Sequence, residues 1–162
     1  MVWILEVGYK KDVTDPVGFL TKKEIEDLGI KGVEKVKSIN TYVIDGDVKE
    51  EDVKKICEEL LADNQIQHYG YRGKNIDKSI KHEFPNAWLV EVGFKPGVMD
   101  AVGLSTLSAI EILGIYNVRE VKTRNKYLII GDITEEQVRK ICKRCLVNPL
   151  IQHYSYQRIG GK

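Results

Sequence analysis

The chain has 162 residues and a formal net charge of +1, which leaves room for one ordinary domain or two small ones and excludes a global polyanion-binding surface. No apolar run approaches the length of a membrane span, and the N-terminus lacks the basic-then-apolar plan of a signal peptide. Three cysteines, an odd number, do not make a disulfide scaffold, so the expectation is a soluble cytoplasmic protein.

Residues 2–8 are a short, mostly apolar run suited to a strand buried on at least one face. Asp15-Pro16 reads as an N-cap followed by proline in the first helical turn. Val17, Leu20, Ile25 and Leu28 then give a helix its apolar stripe, and Gly29 stands where a left-handed terminal residue is wanted. Val33 and Val36 alternate inward, Thr41 to Ile44 is β-branched and aromatic, and Asn40 between them predicts a tight reversal, hence a hairpin closed by Gly46-Asp47. The helix over residues 50–62 puts Val53, Ile56, Cys57, Leu60 and Leu61 on one face opposite a charged one. Residues 66–71 return to extended structure.

The polar stretch that follows, rich in Gly, Asn and Lys, reads as a linker at 73–86 between a first unit at 1–72 and a second at 87–162. The second unit restates the first at an offset of 85 without a gap, about half the aligned residues being identical. Trp3, Glu6, Val7 and Gly8 return as Trp88, Glu91, Val92 and Gly93. Asp100 caps the first helix of the new copy, Gly114 closes it, and Thr134 with Gln137 forms a capping box for the second. The fold class expected is α+β: two tandem β-α-β-β-α-β units, antiparallel sheets with helices on one face, and a pseudo-twofold relation. Units of this size have marginal cores alone, so the two are expected to share a buried interface. Charge divides unevenly, 10 Lys/Arg against 15 Asp/Glu in residues 1–71 and 11 against 7 in residues 88–162.

The copies also differ on their first helices. Lys22, Lys23, Glu24 and Asp27 keep one solvated, whereas their counterparts are Leu107, Ser108, Ala109 and Ile112. Ser105, Ser108, Ala109 and Ile112 share a helical face, expected to be covered by a partner chain or a later domain, with a small cluster inside this chain as the alternative. Cys142-Lys143-Arg144-Cys145 has C-x-x-C spacing, but Leu60 occupies the place of Cys145 in the first copy, so both thiols are expected in the core. Gln67-His68-Tyr69 recurs as Gln152-His153-Tyr154. No carboxylate or cysteine stands at ligand spacing from either histidine, and the expectation is a polar residue on a half-exposed terminal strand, the alternative being that Gln67–Tyr71 and Gln152–Tyr156 are edge strands that pair across an interface. Lys95-Pro96-Gly97-Val98 reads as a turn rather than an anion loop. Arg139, Lys140, Lys143 and Arg144 make a basic helix face, but base-stacking aromatics are scarce on the expected strands, which does not favour nucleic acid.

These residues resemble the PurS family, the small subunit of phosphoribosylformylglycinamidine synthase. Residues 92–103, Val-Gly-Phe-Lys-Pro-Gly-Val-Met-Asp-Ala-Val-Gly, are similar to that family's strand-to-helix entry, and Asp15-Pro16-Val17-Gly18 keeps half of it. Residues 113–122 and 148–154 are similar to its later motifs, with Lys122 and Gln152 as departures. The resemblance implies a covalent PurS pair, or the N-terminal region of a long-form synthetase. Its role would be a non-catalytic assembly component that bridges synthetase and glutaminase parts and supports ammonia transfer, with no catalytic, cofactor or metal residue of its own. ATP, Mg and glutamine would be used elsewhere in the complex, and a homo-oligomer is compatible with the family. The rival expectations are an ACT-like module that binds a small molecule at the strand-to-helix loops, and an RNA-binding pair.

Overall fold

The structure, a computed structural model, describes residues 2–71 and 86–159. The expected linker at 73–86 falls outside them but for its last residue. The first repeat runs β1 (Val2–Tyr9), α1 (Pro16–Asp27), β2 (Val33–Gly46), α2 (Glu50–Ile56) and β3 (Gln67–Tyr71). The second runs β4 (Ala87–Phe94), α3 (Ala101–Ile112), β5 (Val118–Gly131), α4 (Glu135–Ile141) and β6 (Gln152–Ile159). Both α2 and α4 continue into a π-helical turn, Cys57–Leu61 and Cys142–Leu146, each closed by a bond from the following residue to a cysteine carbonyl.

All six strands lie in one antiparallel sheet in the order β3-β1-β2-β5-β4-β6. The repeats therefore join edge to edge through β2 and β5. Asn40 pairs with Asn125, its own counterpart, while Ser38 pairs with Tyr127 and Tyr42 with Thr123, so a pseudo-twofold axis passes through the asparagine pair.

This corrects the expected hairpin. β2 and β5 are single strands of 14 residues, and each unit is β-α-β-α-β. Asn40 is exposed on the helix side of the sheet, where Val36 on one side of it belongs to one core cluster and Ile44 on the other to a second. It is polar because it sits at the seam between two cores; no turn is needed there.

Strand alternation places all four helices on one face. α1 and α4 cover a cluster built on Val36, Trp88, Val90, Val92 and Ile129, while α2 and α3 cover Trp3, Leu5, Ile44, Tyr71 and Val121. Each core thus takes one helix from each repeat, which is why neither repeat is a self-sufficient domain. A third buried cluster of Ile39, Leu89, Leu128, Ile130 and Ile159 lies on the opposite face.

The caps follow the sequence. Asp15 and Asp100 accept from Gly18 N and Gly103 N, Pro16 occupies the first turn of α1, and Gly29 and Gly114 are left-handed at the helix ends. Thr134 and Gln137 form the reciprocal box.

Candidate functional site

The recurrent Asp-x-x-Gly does more than cap. The Asp15 carboxylate also accepts from Ser38 N (2.6 Å) and from the Ser38 hydroxyl, and Asp100 does the same with Thr123 N (2.6 Å) and its hydroxyl. One carboxylate therefore pins each helix start to the long strand below it. Gly18 and Gly103 allow the approach, since a Cβ at either would stand 2.0 Å from the Val36 carbonyl oxygen or 2.3 Å from that of Val121.

Ahead of each helix is a tight turn closed by Val13 N to Lys10 O (3.0 Å) or Val98 N to Lys95 O (3.1 Å). Gly97, at φ +84°, suits the second copy to a turn with proline before it. Lys10 and Lys95 donate to the carbonyls of Asn64 and Pro149, both at 2.6 Å, so the lysine of this loop clasps the exit of the second helix.

The recurrent Gln-His-Tyr divides its work by face. Gln67 and Gln152 accept from the backbone N–H of Asp63 and Asn148, both at 2.8 Å, closing the turn after the π-helical segment. Tyr69 and Tyr154 stack on Tyr71 and Tyr156, which meet Trp3 and Trp88 edge-on. Tyr69 donates to Glu58 (2.6 Å), and the bond to that carboxylate, then burial, pushes its pKa up to about 12. His68 and His153 are exposed on the other face, and desolvation, then the charges of Lys37 and Lys10, lower the His68 pKa. The strands carrying these residues are the two outer edges of the sheet, and the seam between repeats is made by β2 and β5 instead.

Cys57 and Cys142 are fully buried in the two cores, and Cys145 packs against one of them. Burial pushes the Cys57 and Cys142 thiols from 9.0 up to about 12 and raises Cys145. An acid whose folded pKa is raised holds its proton more tightly when folded. Its stabilising share is complete below the unfolded value near 9.0 and is lost as pH climbs toward about 12. Urea midpoints are thus expected to fall above about pH 9, and the Cys57→Val, Cys142→Val variant to show a shallower fall over the same range.

The sequence reading missed a charged cluster on the face away from the helices. Glu6 is 0 % exposed, and its Oε2 lies 3.5 Å from Lys126 Nζ; Glu91 takes Arg124 at 2.9 Å. Both repeats supply the glutamate, and Lys126 and Arg124 both belong to the second repeat, Thr41 and Ile39 holding the corresponding places in the first. The signal was a glutamate inside an otherwise apolar strand, present twice.

Of the expected α3 face, Ser105, Ser108 and Ile112 are exposed, Ile112 at 86 %, so the described helices and strands leave these three uncovered. Ala109 is half-buried beside a shallow groove of about 390 Å³ shared with Tyr42, Leu60 and Leu61 of the first repeat. The basic face of α4 is solvent-exposed at Arg139, Lys140, Lys143 and Arg144, and Arg139 donates to the Tyr156 hydroxyl (2.8 Å). A larger cavity of about 660 Å³ opens where the Lys95–Val98 turn, the start of α3 and β5 meet, lined in part by Lys95, Arg119, Lys122, Arg124 and His153. Among the described residues no group of three His, Cys, Asp or Glu is placed to hold a metal ion, and no helix is long and apolar enough to cross a membrane.

The model of the PurS family, described as phosphoribosylformylglycinamidine (FGAM) synthase, matches twice, over residues 3–75 and 88–159. The chain belongs to the PurS family. It carries two PurS units in tandem, and the sheet joins them about the Asn40–Asn125 axis. The phosphoribosylformylglycinamidine synthase subunit PurS of Archaeoglobus fulgidus is 34% identical over 71 residues, 41% of this chain and 89% of that protein. Its namesake from Methanocaldococcus jannaschii is 37% identical over 70 residues, 40% of this chain and 84% of that protein. The crystal structure of M. jannaschii PurS, one of the subunits of formylglycinamide ribonucleotide amidotransferase in the purine biosynthetic pathway, is 32% identical. It covers 46% of this chain and 96% of its own, with a TM-score of 0.38. These PurS relatives are subunits of a synthase with further parts, and each spans one unit where this chain has two.

Proposed function

We propose that this chain is the non-catalytic assembly component of a phosphoribosylformylglycinamidine synthase, a covalently closed PurS pair that bridges the synthetase and glutaminase parts and supports ammonia transfer between them. The observation that carries this reading is the double PurS match coinciding with the pseudo-twofold sheet, two units built as one body. The recurrent Asp, Lys, Gln and Tyr side chains spend their hydrogen bonds on this chain's own turns and caps. Their role is to hold a rigid frame. A frame that fixes two active sites relative to each other and keeps water out of the path between them raises the yield of a reactive intermediate without touching it. ATP, Mg and glutamine are then handled by the other parts.

Co-expression with a synthetase and a glutaminase subunit tests this. The expected result is one co-eluting complex holding all three; elution of this chain apart from both contradicts it.

The 660 Å³ cavity favours a second reading, an ACT-like module, because it lies at a strand-to-helix loop and falls in the size range of small-ligand sites. Thermal shift against amino acids and small organic anions separates the two: a ligand-specific rise, abolished by Arg124→Ala, supports the module.

A further inference from the structure

We infer that the helix layer is a self-docking face: two copies of this chain pack helix layer against helix layer, α2 of one copy over α4 of the other. This goes beyond the assembly role and does not depend on it.

Three observations meet on that face. The first is its lateral order. α2 lies over β1 and β3 at one end, α4 over β4 and β6 at the other, and α1 and α3 lie between them over β2 and β5. The second is its middle. Val17, Phe19 and Leu20 on α1 and Val102, Leu104 and Ile112 on α3 are all more than two-fifths exposed, apolar side chains that α2 and α4 flank and that share the middle with the charged residues Lys23, Glu24, Glu26 and Asp27 of α1. The third is the sign of the two ends. Glu58 and Glu59 on the π-helical turn after α2 become Lys143 and Arg144 after α4, and Asp52 becomes Gln137. All four charged side chains at the inverted pair of positions are exposed.

A surface with exposed apolar side chains in its middle, one acidic end and one basic end is complementary to itself. Closed symmetry then selects the geometry. A twofold axis across the strands would set acid on acid and base on base. A twofold axis parallel to the strands sets each acidic end on the partner's basic end and superposes the two middles. Two identical PurS-like units could not carry this pattern, since their ends would bear the same charge; it requires the fused, diverged pair.

Sedimentation equilibrium tests it. The wild-type chain is expected at twice the monomer mass at low ionic strength, with dissociation favoured at about 0.5 M salt. Lys143→Glu with Arg144→Glu makes both ends acidic, and Glu58→Lys with Glu59→Lys makes both basic. Each variant alone is expected to be monomeric with an unchanged circular dichroism spectrum, and an equimolar mixture of the two to recover the dimer mass. Ile112→Glu is expected to lose the dimer in either background. A wild-type monomer at low salt, variants that still self-associate, a mixture that stays monomeric, or growth past the dimer with concentration would each overturn the proposal.

Discussion

Replacing Lys126 with alanine is expected to lower folding stability by about 3–5 kcal/mol, because it removes a charged partner of a glutamate sealed in the molecule. Glu6 has no exposed surface, and the Lys126 side chain is only 10 % exposed, so solvent does little to screen the 3.5 Å pair. The pair also links the first repeat to the second, so its loss falls on the union of the two units. The double variant Glu6→Gln, Lys126→Met removes both charges and is expected to cost much less than the sum of its parts, the signature of coupled neighbours. Urea denaturation of the four proteins in that cycle measures it. A Lys126→Ala loss below about 1 kcal/mol would show that the pair does not hold the seam.

Gly18→Ala and Gly103→Ala are expected to destabilise by about 1–3 kcal/mol each, since the added methyl meets backbone and cannot be relieved by a rotamer change. The carbonyl oxygens of Val36 and Val121 lie 2.0 Å and 2.3 Å from the new carbon, and both belong to the long strands that form the seam. Moving the helix outward to relieve the clash would stretch the bonds from Asp15 to Ser38 or from Asp100 to Thr123. Gly97→Ala is the control: its Cβ would meet nothing within 4 Å, so only the left-handed backbone at φ +84° is strained. If all three glycine variants behave alike, close packing is not what the motif is for.

The parts of the fold that were legible in the sequence are those set by local chemistry. Asp15-Pro16, Gly29, Gly114 and the Thr134–Gln137 box mark helix ends through bonds made within a few residues. The duplication was legible because the offset is constant. What misled was Asn40, where a turn-forming residue between two strand-like runs predicts reversal. Its actual reason, a place on the pseudo-twofold axis between two cores, is a relation between residues 85 apart and leaves no local mark. Glu6 was hidden for a similar cause, Lys126 being 120 positions away in the other repeat. The recurrent Gln-His-Tyr was visible as a motif, but its division between a turn, an outer face and an aromatic stack depends on strand pairing. On α3 the uncharged face of Ser105, Ser108 and Ile112 was legible, because a helix repeats within one turn and needs no partner to define its faces.

The central claim is that this PurS pair holds other machinery in place and performs none of the chemistry. Initial rates of formylglycinamidine ribonucleotide formation by synthetase and glutaminase, with and without this chain, test it most directly when glutamine and free ammonia are compared as nitrogen sources. The account predicts that omitting the chain abolishes the glutamine-driven rate and leaves the ammonia-driven rate unchanged. A glutamine-driven rate indifferent to the chain, or hydrolysis of glutamine or ATP by the chain alone, would contradict it.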